Sequence, residues 1–217
     1  RADPRNVDAL QGRAEGLFRL GRVAESVRDF DRVVELDPAG LPHNWQRGIA
    51  LYYAGRFADG ARQFERHREV NPQDVENAAF HYACVARAAG LSGGPAEAAK
   101  VLIPIDRDPR VPLMKVHELY AGRATAADVL AEARRGDPPA DELRERLFYA
   151  HYYLALWHEA HGRRAEAADH ARLAATDYAV DGYMGDVARV HAWLAAAAAA
   201  ASDTRPATES ATTRPRP

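Results

Sequence analysis

Three pairs of an acidic or amide residue followed by proline, Asp3-Pro4, Asp37-Pro38 and Asn71-Pro72, set their prolines 34 positions apart. A fixed period of this length constrains the fold more than any composition figure, because each unit must be one supersecondary element that stacks on the next. Gly21 and Gly55 keep the same step, each followed by arginine and then an apolar run. Proline cannot continue the preceding helix, while its fixed φ suits the start of the next, so it closes a unit. The glycine breaks the unit in the middle. Apolar residues three and four apart predict helices over Val7 to Leu20 and Val23 to Leu36, then over Leu41 to Ala54 and Phe57 to Val70. Phe30 and Phe64 hold equivalent places in the second helices and should fill the wedge between paired helices.

Register is lost beyond the third proline. A helix is expected from Gln73 to about Gly90 and a short one from Pro95 to Ile103, followed by an extended connector, since Pro104, Pro109 and Pro112 crowd the stretch to 112. Two short helices follow, Leu113 to Tyr120 and Ala126 to Arg134, the second opened by a Thr125–Asp128 pair with capping-box spacing. Helices Asp141 to His161 and Ala165 to Thr176 flank Gly162-Arg163, which repeats the earlier glycine-arginine junctions. From Gly182 a last amphipathic helix, with Val187, Val190, His191 and Leu194 on one side, is expected to cap the exposed end of the array, fraying over Ala195 to Ala201. Four segments result: helix pairs over 1–103 with the third degenerate, an irregular connector with short helices over 104–139, a late repeat plus capping helix over 140–201, and a Thr/Pro/Ser/Arg tail over 202–217 expected to be disordered.

The 34-residue helix-turn-helix period resembles the tetratricopeptide repeat (TPR). That resemblance implies an all-α solenoid of stacked antiparallel helix hairpins, whose first helices line a concave groove that binds protein or peptide partners. Carried onto this sequence, the groove positions fall on Gln11, Glu15, Phe18 and Arg19, then on Trp45, Ile49, Tyr52 and Tyr53. The third unit supplies Ala79, Ala83, Ala86 and Arg87, and the late repeat Tyr149, Tyr152, Leu156 and Glu159. The partner-binding candidates are Phe18, Arg19, Trp45, Ile49, Tyr52, Tyr53, Arg87, Tyr149 and Tyr152, because aromatics and arginine anchor interfaces well. The alanines would let a partner helix or strand approach closely. TPRs that grip a C-terminal carboxylate need Lys, Asn and Arg where this chain has Gln11, Glu15, Trp45 and Ile49.

Composition excludes several classes. The chain has a formal charge of -2 and a pI near 6.5, which offers no general attraction to nucleic acid or anionic lipid. No run reaches the length of a membrane span. Cys84 is the only cysteine, so neither an internal disulfide nor a cysteine-based zinc site can form, and its thiol is expected in a helix interface. His158-Glu159-Ala160-His161 is one residue short of the zinc-protease spacing, in which the histidines are four apart; these are expected to be solvated histidines at a helix end, although His151, His158 and His170 could meet in space. Asp106-Arg107-Asp108 offers paired carboxylates that read as turn chemistry. With no nucleophile elbow, phosphate loop or dinucleotide fingerprint, no catalytic residue, metal or cofactor is expected.

Arg47-Gly48-Ile49-Ala50-Leu51-Tyr52-Tyr53 with Gly55-Arg56, Glu118 to Gly122, Phe148-Tyr149 and Tyr152-Tyr153-Leu154 resemble the NlpI-type envelope lipoproteins of Gram-negative bacteria over roughly residues 5 to 190. The resemblance implies a homodimeric adaptor at the periplasmic face of the outer membrane that presents peptidoglycan hydrolases to a processing protease. The sequence departs from that family in lacking a lipobox cysteine, and the tail from Ser202 has no counterpart there. The residues themselves leave the compartment unknown, with a cytoplasmic scaffold as the alternative.

Overall fold

A computed structural model describes residues 5–203, and over them the chain is all-helical, with helices packed in sequence-adjacent pairs and no strand. The first pair is α1 (Val7–Arg19) and α2 (Val23–Leu36); the second is α3 (Trp45–Tyr53) and α4 (Phe57–His67). Helices α5 (Val75–Ala89) and α6 (Gly94–Lys100) follow, then α7 (Leu113–Tyr120), α8 (Ala126–Arg134), α9 (Ala140–Ala160), α10 (Arg164–Ala175) and α11 (Tyr183–Asp203).

One local device builds several of the pair junctions. At Gly21 the chain takes φ 71°, the glycine N–H bonds back to Phe18 O, and the N–H of Arg22 reaches Leu17 O at 2.9 Å. This left-handed closure satisfies the last carbonyls of α1 and turns the chain into α2. The same pair of bonds recurs at Gly55-Arg56, Gly122-Arg123 and Gly162-Arg163. The device therefore extends to the α7–α8 junction, where no proline marks a period. At Gly21 space matters as well as φ: a Cβ there would meet the Trp193 ring at 2.9 Å.

Several boundaries differ from the sequence reading, most of them by one or two residues and a few by more. The helix expected from Leu41 begins at Trp45, preceded by a 3-10 segment at Pro38–His43. Asp37 caps that segment by accepting from Gly40 N at 3.2 Å, Pro42 supplies no N–H, and Asn44 then accepts from Arg47 N to open α3. Helix α4 ends at His67 rather than Val70, and α6 at Lys100 rather than Ile103. Helix α11 does not fray over its alanine run but continues to Asp203, as the high helix propensity of alanine favours. Ser202 and Asp203 thus belong to a helix, and the rest of the expected disordered tail, like Pro4, lies outside the described residues. The capping box at Thr125–Asp128 forms as read.

Phe30 and Phe64 are buried, and Phe64 stacks on Phe80 with ring centroids 5.4 Å apart. Helix α5 is the hub, packing on α3, α4, α6, α7 and α9. Cys84 is buried there with its thiol pushed well above its usual range by burial, so it stays protonated and apolar.

Helix α11 packs on α10 and also crosses to α1. Tyr183 stacks on Phe18 at 6.0 Å and meets Trp45 edge-on at 5.2 Å, while Asp186 accepts from Arg19 Nε at 2.7 Å. The two ends of the described chain are thereby joined. No helix among the described residues is long and apolar enough to cross a membrane.

Candidate functional site

A cavity of about 250 Å³ opens among α3, α4, the α4–α5 turn, α5 and the start of α11. Ile49, Phe64 and Phe80 make it apolar, Trp45 and Met184 contribute from α3 and α11, and the polar wall consists of His67, Asn71, Asp74, Glu76 and Asn77. Helix α3 brings Trp45 and Ile49 to it because they lie one turn apart on one face. Helix α5 brings Glu76, Asn77 and Phe80 from its first turns.

The polar wall consists mainly of acceptors. Asn77 is 3% exposed; its amide donates to Phe64 O at 3.1 Å, and its Oδ1 has no partner. The amide of Asn71 donates one N–H to Asp74 Oδ2 at 3.0 Å, and its side-chain oxygen is a further acceptor. His67 Nδ1 lies 2.8 Å from Pro42 O, which can only accept, so Nδ1 donates to it. Asp74 and Glu76 add carboxylates, and both, with Asp108, converge on Arg110. Asp74 also caps α5 through Glu76 N at 3.1 Å, and Asp108 accepts from Val75 N at 3.3 Å. Burial raises the Glu76 carboxyl above its usual range despite Arg110 and the Tyr153 hydroxyl. Asp108 is also resisted by burial, yet hydrogen bonds and charge from Arg110 and the Val75 amide hold it below its usual range. Three carboxylates around one guanidinium leave this wall with excess negative charge.

The nine partner-binding candidates divide into three sets. Trp45 and Ile49 line the cavity. Phe18, Tyr52 and Tyr152 are buried, Tyr53 and Tyr149 are half-buried, and all five pack against the chain's own aromatic rings. Arg19 and Arg87 are tied to Asp186 and Glu159. Ala79, Ala83 and Ala86 are buried, so no partner can approach along them. The physical reason is that α9 and α11 fold back over this part of the inner face.

Filling that face is a polar network. Tyr52 donates to Glu159 Oε2 at 2.7 Å, and Arg87 pairs with the other oxygen of the same carboxylate. The Tyr53 hydroxyl lies 3.0 Å from that of Tyr152 and 2.8 Å from His191 Nδ1, and His191 Nε2 faces Glu159 at 3.8 Å. Burial disfavours the Glu159 carboxylate, but His191, Arg87 and Tyr52 outweigh it and hold the group below the usual glutamate range. Burial also holds His191 below its usual value, so at neutral pH Arg87 is the counter-charge.

The histidines of α9 are not solvated as expected. His151 and His158 are buried between α9 and α10, with His151 Nδ1 2.8 Å from His170 Nδ1 and the His158 ring stacked on that of His170 at 5.3 Å. A three-residue step separates His158 from His161, and His161 Nδ1 turns instead to Trp157 O at 2.7 Å. Among the described residues no group of three or more His, Cys, Asp or Glu is arranged to hold a metal ion. Asp106-Arg107-Asp108 is turn and cap chemistry, with the Asp106 and Arg107 amides donating to Gln73 Oε1 at 2.8 and 3.0 Å.

Sequence reasoning missed Asn77, Glu76, His67 and Met184. Asn77 sits directly after Glu76 in the first turn of α5, where a polar residue is ordinary, so the local sequence did not mark it. Met184 gave none, since its place depends on α11 returning to α3. A scan against protein-family models finds no match for the chain, and a search of curated proteins finds none either.

Proposed function

We propose that the chain is a TPR-type scaffold that binds a protein or peptide partner at the cavity between α3 and α5 and carries out no chemistry of its own. The observation that supports this best is the pairing of Trp45 and Ile49, both groove positions by the repeat register, with the unpartnered acceptor of Asn77 in one cavity. An accessible aromatic beside an unmet hydrogen-bonding group is the pattern of an interface anchor point. The 34-residue period and the recurring glycine-arginine junctions support a stacked repeat array. Within this reading, the resemblance to NlpI-type lipoproteins makes an envelope adaptor the more specific form, and a cytoplasmic scaffold with an unrelated partner its alternative.

The test is capture from a lysate of the source organism with wild type and Trp45→Ala, both shown by circular dichroism to be folded. Proteins enriched by wild type and lost by the variant support the scaffold and its site. Peptidoglycan hydrolases or a processing protease among them favour the envelope form, and cytosolic proteins the alternative. Equal recovery by both proteins moves the site elsewhere, and no enrichment by either sinks the scaffold reading.

A further inference from the structure

Resting on that scaffold reading, we propose that the cavity is the socket for one basic side chain, arginine above all, of the bound polypeptide. The buried group on its wall that lacks a partner, Asn77 Oδ1, is an acceptor, and the oxygen of the exposed Asn71 beside it is another. A ligand that satisfies them must bring hydrogen-bond donors, which a polypeptide carries chiefly as N–H groups, and a carboxylate or carbonyl would only add acceptors to acceptors. Asp74 and Glu76 are each about 15% exposed and, with Asp108, outnumber Arg110, so the N–H-bearing group is best cationic. The remaining wall suits the stem and face of such a side chain. Half-buried Trp45 offers its ring to a guanidinium, and Ile49, Phe64, Phe80 and Met184 offer apolar surface to its methylenes. Arginine fits better than lysine because its planar fork carries five donors and can serve Asn77 and a carboxylate together. The buried Asn77 oxygen singles out this position, since an unsatisfied acceptor there costs stability until a donor arrives.

The probe is the peptide acetyl-Ala-Ala-Arg-Ala-Ala-amide, compared by NMR titration of the full chain with the same peptide carrying lysine, or citrulline, the neutral isostere of arginine. Saturable shifts at the Asn77 side-chain amide and the Trp45 indole N–H are expected with arginine, weaker with lysine, and about tenfold weaker with citrulline. Raising the salt concentration should weaken the arginine peptide and leave citrulline nearly unchanged. Glu76→Gln, which keeps the shape and removes the charge, should weaken arginine binding about tenfold, and Trp45→Ala should do so in a chain still folded by circular dichroism. Equal binding of citrulline and arginine, shifts elsewhere on the surface, or no saturable shift overturns the proposal. Because this probe requires no natural partner, its failure leaves the capture result standing. Conversely, an arginine peptide that binds as expected, in a chain that captures no protein, sinks the scaffold reading while the cavity's selectivity for the cation remains.

Discussion

Helix α3 contributes to two regions of the same inner surface that end in opposite states. At its last turn, Tyr52 and Tyr53 are locked into hydroxyl and carboxylate bonds with Tyr152, Glu159 and His191, and the surface is full. At its first turn, Trp45 touches Tyr183 but also faces a cavity whose buried asparagine lacks a partner. The TPR resemblance led both turns to be expected in a groove. What separates them is the cover: α9 and α11 bring complementary groups to one end of α3, and only Met184 reaches the cavity at the other. The lesson is that a repeat position marks where a partner could bind, and the rest of the chain decides whether that partner is internal.

Breaking the filled region should cost most. Tyr152→Ala removes a fully buried ring that stacks on Phe148 and supports Phe80, and a loss of about 4 kcal/mol is expected by urea unfolding. Tyr152→Phe, which removes only the hydroxyl bound to Tyr53, should cost about 1 kcal/mol. Next is Glu159→Gln, which strips the counter-charge from Arg87. About 2 kcal/mol is expected in the same assay, and an effect near zero would show that the network is incidental to folding.

Acid should act third, through the α9–α10 interface. Burial, then the charge of His170, depress His151 and His158 to about 4 from the ordinary 6.5. Between these values the unfolded chain binds protons that the folded chain refuses, so stability is full above about pH 6.5 and falls as pH drops toward 4. A fall on the order of 2 kcal/mol from pH 7 to 5 is expected for each of the two histidines, and His151→Phe should roughly halve the slope. The smallest stability effect belongs to the open region. Trp45→Ala is expected to cost about 1 kcal/mol or less while removing partner capture, because the ring is only partly buried and its role is toward the cavity. A cost as large as that of Tyr152→Ala would erase the distinction between the two regions.

Much of the helix plan was legible in the sequence. Helices α7 and α8 fall where apolar spacing, prolines and the Thr125 cap put them, and the glycine-arginine junctions were readable because left-handed backbone is a local demand. Leu41 to His43 were read as the start of α3 from apolar spacing, whereas the missing N–H of Pro42 and the capping side chain of Asn44 set the true start at Trp45. The site was only half legible. Trp45 and Ile49 follow from register, but Asn77 follows Glu76 at the start of α5 with nothing local to set it apart, and its unmet oxygen is a property of its neighbours.

By itself the sequence determined the 34-residue period, the helix pairs and the turns between them, since capping, proline geometry and apolar spacing act over a few residues. The tertiary structure alone decided that α9 and α11 return over α1, α3 and α5. Contacts between Tyr53 and His191, or Tyr52 and Glu159, join residues far apart in the chain, and their formation depends on how all the intervening helices stack. That closure is what turns most of the candidate groove into core and leaves one acceptor-lined cavity open.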